Sequence, residues 1–281
     1  DPDDSVFQYF LQCFKLSEDA TCTIINTCYE FEKDYVQYIQ DSLQKNVLTI
    51  GPVLPDWCFY SGKEEPTPSH HFKPNLWTED HSCLQWLDAQ KENSVLYVSL
   101  GSVATLELEQ FMELALGLEL CEQPILWVIR ADLIDGKAAV RFPEGYLDRM
   151  QSRACFVSWA PQKEVLFHRA VGGFFTHHGW NSTMESMAAG VPMLGWPYFA
   201  DQMTNARLCV EVWNVGLGFG GDRKRLIGRD EVDEKVRLLM QSTSILREKI
   251  GQCKRLIHQG VSEGGSSNLH LKQLLHRICN L

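Results

Sequence analysis

From Ser94 onward, short apolar runs alternate with longer amphipathic stretches along the chain. SVLYVSLGS (94–102) reads as a buried-type strand, and LELEQFMELALGLELC (106–121) as a helix with acidic residues in its first turn. PILWVIR (124–130) is the next strand. ACFVSWA, VGGFFTH and PMLGW follow as strands, each leading into a helical stretch, and GLGFG is a last short strand. Strands alternating with helices of this length predict a parallel sheet covered on both faces. Upstream, residues 22–27 and 47–54 read as short strands flanking a helical FEKDYVQYIQDSLQ. Residues 55–80 are rich in Pro, His, Ser and charge, the composition of a surface linker. Three helical stretches, 229–242, 245–259 and 267–281, close the chain, with SEGGSS between the last two.

In parallel α/β sheets ligands bind beyond the carboxyl ends of the strands. The residues that follow VSLGS, FVSWA, GGFFTH and LGWPYF therefore hold the candidate chemistry. Trp159 ends a strand, where its indole can stack on a planar base, although a Trp in such a place also caps a core. His177, Gly179, Asn181 and Ser182 stand between a strand and a helix that Asn181 or Ser182 is expected to open. Backbone N–H groups and the positive end of the helix dipole favour an anion there. Ser182 and Glu185 also have the spacing of a capping box, which needs no ligand. Asp201 and Gln202 can accept and donate hydrogen bonds side by side, as sugar hydroxyls require; a plain helix cap is the other reading of Asp201. Gly190-Val191-Pro192 is a helix stop.

Composition narrows the classes. The 281 residues suffice for one large or two smaller domains, and 44% hydrophobic with 22% charged residues can fill a sizeable core. A formal charge of -10 argues against nucleic acid as a partner. Ten cysteines without a C-x-x-C pair read as reduced, mostly buried thiols of a cytoplasmic protein. No apolar run approaches the ~20 residues that span a bilayer. The chain opens at Asp1 with no visible signal peptide and reads as a fragment.

The stretch from Trp159 to Gln202 resembles the signature box of plant secondary-product glycosyltransferases, the family 1 UDP-sugar-dependent enzymes. The resemblance implies an α/β fold of the GT-B type, with Rossmann-like parallel sheets flanked by helices. It implies Trp159 on uracil, the Ala160 backbone beside it, Gln162 near the ribose and Glu185 on the ribose hydroxyls. His177, Gly179, Asn181 and Ser182 would surround the diphosphate, with Trp180 beside both phosphate and sugar. Asp201 and Gln202 would hold the hexose, and Gln in the last place accompanies glucose more often than galactose. Gly101-Ser102 resembles the family's first strand-to-helix loop, whose serine reaches the phosphates. One departure appears: His178 stands where most relatives carry Cys. Two adjacent histidines without a third ligand do not make a metal site, because neighbouring strand residues point to opposite faces.

Across the chain the resemblance divides residues 1–58, the tail of an incomplete amino-terminal acceptor domain, from a linker at 59–81. Residues 82–260 would form the donor-binding domain, and 261–281 a helix that packs back on the amino-terminal one. Leu271, Leu274, Leu275 and Ile278 follow helical spacing and need burial there. The family's catalytic His and Asp have no counterpart here, so no catalytic residue is assigned in this chain. The expected activity is inverting, metal-independent transfer of a hexose from a UDP-sugar to a hydroxyl of a small phenolic or flavonoid. The UDP-sugar is a co-substrate and no cofactor is expected; the complete protein is expected to be monomeric. An inactive UDP-sugar-binding remnant is the alternative.

Three other motifs are decoys. Gly216-x-Gly218-x-x-Gly221 spells a dinucleotide fingerprint but is not followed by an apolar helix start. Asn181-Ser182-Thr183 is a glycosylation sequon at the very place an anion would sit. Arg223-Lys224-Arg225 is a short solvated run.

Overall fold

The apolar runs become strands and the amphipathic stretches become helices, in the expected order. The computed structural model describes residues 5–17, 19–59, 78–102, 105–134, 141–220, 225–241 and 244–279. The chain begins with α1 (Ser5–Ser17), β1 (Thr23–Ile25), α2 (Tyr29–Leu43) and β2 (Val47–Thr49). After α3 (Ser82–Asp88) come β3 (Val95–Ser99), α4 (Leu108–Leu120), β4 (Ile125–Val128), α5 (Tyr146–Met150) and β5 (Ala154–Val157). Next are α6 (Gln162–Leu166), β6 (Val171–Thr176), α7 (Trp180–Ala189), β7 (Met193–Gly195), α8 (Gln202–Arg207) and β8 (Gly216–Gly218). The chain closes with α9 (Arg229–Met240), α10 (Ser244–Val261) and α11 (Ser266–Cys279).

Two compact units result: residues 1–59 with 255–281, and residues 60–254, so the boundary falls inside α10. The larger unit holds a six-stranded sheet in the order β5-β4-β3-β6-β7-β8, every pairing parallel. β3 is buried along its whole length, as expected for a strand inside a parallel sheet. Alternate side chains go to opposite faces. Leu96 and Val98 of β3 join Phe111 and Leu114 of α4, Trp127 of β4 and Val232 and Val236 of α9 in one core cluster. Trp127 stacks on Phe111 with ring centroids 5.6 Å apart. Burying one such side chain contributes ~2–3 kcal/mol. Tyr97 points the other way and stacks on Phe174 at 4.9 Å.

α7 ends where the sequence says it must. Gly190 takes the left-handed conformation at φ 80° and its N–H meets the carbonyls of Ser186 and Met187. β8 places Gly216 and Gly218 inside a strand, opposite Met193 and Gly195, and not in a loop after one. A dinucleotide fingerprint needs that loop, so the motif is accidental.

In the smaller unit β1 and β2 pair in parallel, and α11 lies on β2. Thr49 donates its backbone N–H to His270 Nδ1 at 3.1 Å, and Ser267 Oγ donates to the Gly51 carbonyl at 2.6 Å. On α11, Leu271, Leu275 and Ile278 are exposed and Leu274 is half-buried. The expected strands are shorter than their apolar runs: 22–27 shrinks to 23–25 and 47–54 to 47–49. α1, α3 and α5 have no counterpart among the expected elements. Most of the expected linker, 60–77, together with Gly221, Arg223 and Lys224, lies outside the described residues.

All ten cysteines are free thiols, and Cys28, Cys58, Cys83, Cys121, Cys209 and Cys253 are buried. No described helix is long and apolar enough to cross a membrane.

Candidate functional site

Four strands of the larger unit end side by side, and the residues just beyond them line one cleft of about 430 Å³. Ser99, Gly101 and Ser102 come from the end of β3, Trp159 and Ala160 from beyond β5, and His177 and Gly179 from beyond β6. α6 adds Gln162 and Lys163, while α7 adds Trp180, Asn181, Ser182 and Glu185. Of the residues expected to meet a UDP-sugar, Ser102, Trp159, Ala160, Gln162, His177, Gly179, Trp180, Asn181, Ser182 and Glu185 all line this cleft. Asp201 and Gln202 do not.

The start of α7 differs by one or two residues from expectation. Gly179 is the N-cap and Trp180 the first helical residue, so neither Asn181 nor Ser182 opens the helix. The first helical bond runs from Thr183 N–H to the Gly179 carbonyl at 3.0 Å. The helix itself therefore offers no acceptor to the N–H groups of residues 180–182, and its dipole points its positive end the same way. Ser182 sits too far inside to cap, which removes the capping-box reading. Its hydroxyl instead accepts from Gln162 Nε2 at 2.9 Å. An oxygen engaged as acceptor still has its own proton to donate.

Gln162 is the hub of this end of the cleft. Its Nε2 also donates to Glu185 Oε2 at 2.7 Å, and its Oε1 accepts from the Tyr97 hydroxyl at 3.3 Å. Burial pushes the Glu185 carboxyl above its ordinary range, and the Gln162 hydrogen bond and the Lys163 charge oppose that. A half-shielded carboxyl held in one place can accept two neighbouring hydroxyls at once.

At the other end, the His177 ring lies between two glycines. A Cβ on Gly101 would lie 2.7 Å from His177 Nε2, and one on Gly179 only 2.5 Å from it. Gly101 also has φ 82°, a conformation that other L-residues adopt at a cost. Burial lowers the His177 pKa to about 4, while the Asp201 charge works against that and the Arg130 charge with it. The imidazole is neutral at neutral pH and can donate one N–H. His178 lies beyond the end of β6 in the left-handed conformation at φ 59°, so strand alternation does not set its direction, and it packs against β7 instead. It is 0% exposed, its pKa pushed down to about 3 by burial, and its ring fills the space in front of Gly195.

Asp201 is exposed and makes no capping bond; its Oδ2 accepts from Asn205 Nδ2 at 2.9 Å. The same Nδ2 donates to the His178 carbonyl at 2.9 Å, which ties α8 to the strand end that carries His177. Gln202 is 5% exposed, and its Oε1 accepts the N–H groups of Tyr198 at 2.9 Å and Phe199 at 3.3 Å. The pair thus stands beside the His177 end, outside the cleft proper.

Sequence reasoning missed Glu79, Tyr97, Ser99, Val128 and Lys163, which also line the cleft. A signal existed for two of them: Tyr97 and Ser99 alternate along β3 and must share a face. Glu79 stands among residues of linker composition, and nothing local marks it.

Known proteins resemble this chain in sequence and in fold. Residues 6–220 match the family model described as UDP-glucoronosyl and UDP-glucosyl transferase. UDP-glycosyltransferase 85A7 of Arabidopsis thaliana is 38% identical over 283 residues, which cover 99% of this chain and 56% of that protein. The (R)-mandelonitrile beta-glucosyltransferase of Prunus dulcis is 37% identical, with 99% and 56% covered. Among solved structures, Phytolacca americana UGT2 complexed with UDP-2fluoro-glucose and pterostilbene superposes with a TM-score of 0.82 at 32% identity. That match covers 99% of this chain and 59% of that one. Os79 from O. sativa in complex with UDP gives a TM-score of 0.85 at 28% identity, with 96% and 58% covered. The chain spans a little over half the length of these relatives, and its fold is the α/β fold of GT-B glycosyltransferases. With its match to the family model and these plant relatives, the chain belongs to the UDP-glucoronosyl and UDP-glucosyl transferase family.

Proposed function

We propose that this chain carries the donor site of an inverting, metal-independent glycosyltransferase that moves a hexose, glucose by preference, from UDP to a hydroxyl of a small acceptor such as a phenolic. The observation that carries the proposal is the convergence of ten expected residues on one cleft at the start of α7. Uracil stacks on Trp159 with its edge on the Ala160 backbone, and the ribose hydroxyls meet Glu185 and Gln162. The diphosphate lies against the first turn of α7, with Asn181, Ser182, His177 and Ser102 around it and the open approach over Gly179. Trp180 stands between phosphate and sugar, and Asp201 and Gln202 meet the sugar hydroxyls.

In the transfer, the acceptor oxygen attacks the anomeric carbon on the face opposite the diphosphate. The bond from that carbon to the phosphate oxygen breaks as the new one forms. Fixed N–H dipoles at residues 180–182 stabilise the charge that the leaving UDP acquires. The acceptor proton needs a general base, and no residue of this chain is assigned to it. We read residues 1–58 as the tail of an incomplete acceptor domain, 59–81 as a linker, 82–260 as the donor domain and 261–281 as a helix that packs back on the acceptor domain. We further propose a cytoplasmic monomer.

Support also comes from relatives, one named for glucosyl transfer to mandelonitrile and one solved with a fluorinated UDP-glucose and a stilbenoid. The test is calorimetric titration of UDP-glucose into the 281-residue chain, with acceptor-dependent UDP release measured for this chain and for any longer version from the same gene. Binding by this chain with turnover in a longer version supports the proposal. Binding without turnover in both would favour an inactive UDP-sugar-binding protein, and absence of binding would refute the donor site.

A further inference from the structure

Behind the His177 end of the cleft lies a charged side chain that the site has not yet absorbed. Arg130 follows β4 and is 4% exposed. Its Nε donates to Asp132 Oδ1 at 3.0 Å, and its Nη1 donates to the Gly101 carbonyl. Asp132 is 48% exposed on the solvent side. Gly101 at φ 82° turns its carbonyl inward to that guanidinium, and its bare Cα faces the His177 ring. The contacts therefore run Asp132, Arg130, Gly101, His177, Gly179, from solvent to the mouth of the cleft. Desolvating a guanidinium is costly, and a partly exposed ion pair is weak ground for stability alone.

The cleft has need of a charge here. Among the described lining residues the cationic side chain is Lys163, which stands by Glu185 at the ribose end. His177 is neutral, and the helix start contributes only a partial charge. We infer that Arg130 is a positioning residue of the diphosphate subsite: pinned by Asp132, it fixes the Gly101 turn that carries Ser102 and braces His177, and it sets a full positive charge behind the phosphates. The inference rests on the donor-site reading and adds a residue outside the signature box. Its electrostatic influence on His177 is the same arrangement seen from the imidazole: Arg130 lowers that pKa while Asp201 raises it.

The test uses the 281-residue chain with Arg130→Met, Arg130→Lys and Asp132→Asn, titrated with uridine and with UDP. UDP affinity is expected to fall roughly tenfold or more in Arg130→Met while uridine affinity changes less than about twofold, since only the phosphates feel the charge. Arg130→Lys keeps the charge without the fork and is expected to recover part of the loss. Asp132→Asn, which loosens the guanidinium from outside, is expected to weaken UDP by roughly threefold. If Arg130→Met does not fold, the other two variants carry the test. A second readout needs no ligand: the NMR titration of the His177 ring, at about 4 in the parent, is expected to move up in Arg130→Met and stay put in Arg130→Lys. Equal losses for uridine and UDP, or no loss for either, would overturn the inference. A parent chain that binds neither ligand would instead remove the donor-site reading, and an unmoved His177 titration would then remove the Arg130 arrangement as well.

Discussion

Gln162 Nε2 lies 2.7 Å from Glu185 Oε2 and thereby ties the start of α6 to a half-buried carboxyl on α7. The same amide nitrogen reaches Ser182 Oγ at 2.9 Å, so one side chain orients both a ribose candidate and a phosphate candidate. Replacing Glu185 with Ala is expected to weaken UDP by ~1.5–3 kcal/mol, the usual value of a hydrogen bond to a charged group. Gln162→Ala is expected to weaken it less, because Glu185 remains but is no longer held. The check is calorimetry with UDP and 2′-deoxy-UDP. The parent should discriminate between them and Glu185→Ala should not; UDP affinity unchanged in Glu185→Ala would count heavily against the ribose assignment.

His177 owes its place to two missing methyl groups. A Cβ at Gly179 would lie 2.5 Å from its ring, and one at Gly101 2.7 Å away with an unfavourable φ as well. Gly179→Ala is expected to displace the imidazole and weaken UDP by roughly tenfold, with near-normal thermal stability. Gly101→Ala is expected to lose both affinity and ~1–2 kcal/mol of stability. UDP titration beside thermal melts separates the two effects.

Gly195 and His178 form a second such pair, with a Cβ at Gly195 placed 2.5 Å from His178 Cδ2. Gly195→Ala is expected to destabilise the fold by ~1–3 kcal/mol through overpacking. Adding His178→Cys, the residue expected of most relatives, is expected to restore most of that loss by vacating the space. Denaturant unfolding of both single variants and the double variant gives the coupling energy. Strict additivity would contradict the packing described.

The two histidines make stability depend on pH in a defined direction. Their folded pKa values, about 4 for His177 and about 3 for His178, lie below the ordinary 6.5. Between those values the unfolded chain binds protons that the folded chain does not, so stability is full above pH 6.5 and falls as pH drops through that window. Glu113, Glu119 and Glu231, all held below 4.5 by arginine partners, act only further into acid. Glu185, raised above 4.5 by burial, works in the opposite sense. Urea midpoints measured between about pH 7.5 and about pH 5.5 are expected to decline, and less steeply in His178→Cys. A flat profile in the parent would show that these rings are not held neutral.

Gln202 joins the loop to the sugar candidates, since its Oε1 holds the N–H groups of Tyr198 and Phe199. Gln202→His is expected to change the preference between UDP-glucose and UDP-galactose while UDP affinity moves less than about twofold, because the cleft lining does not include this residue. Competition titrations of the two sugar nucleotides read it out.

Much of this is legible in the amino-acid sequence. Short apolar runs between amphipathic stretches placed every strand of the large sheet, because a parallel strand buried on both faces needs an unbroken apolar run. VLYVS and VGGFFT are such runs. The signature stretch located the cleft, since its chemistry follows strand ends that the topology brings together. Local signals failed where tertiary contacts decide. Ser182 has the spacing of a cap, but the chain enters α7 at Gly179, whose bare Cα leaves room for His177. Arg130 looked like the polar end of a strand, and only the approach of Gly101, 29 residues away in sequence, reveals its use. The short β1 and β2 end before their apolar runs do: Ile50 and Gly51 still donate their N–H groups to the Ile25 and Thr27 carbonyls, but Pro52 has no N–H with which to continue the ladder.

The donor-site proposal is tested most directly by a crystal structure of this chain with UDP. The expected result is uracil stacked on the Trp159 indole, ribose hydroxyls on Glu185, and both phosphates at the first turn of α7 between Ser102, His177 and Ser182. A cleft without nucleotide at saturating UDP, or nucleotide bound away from Trp159 and α7, would contradict it.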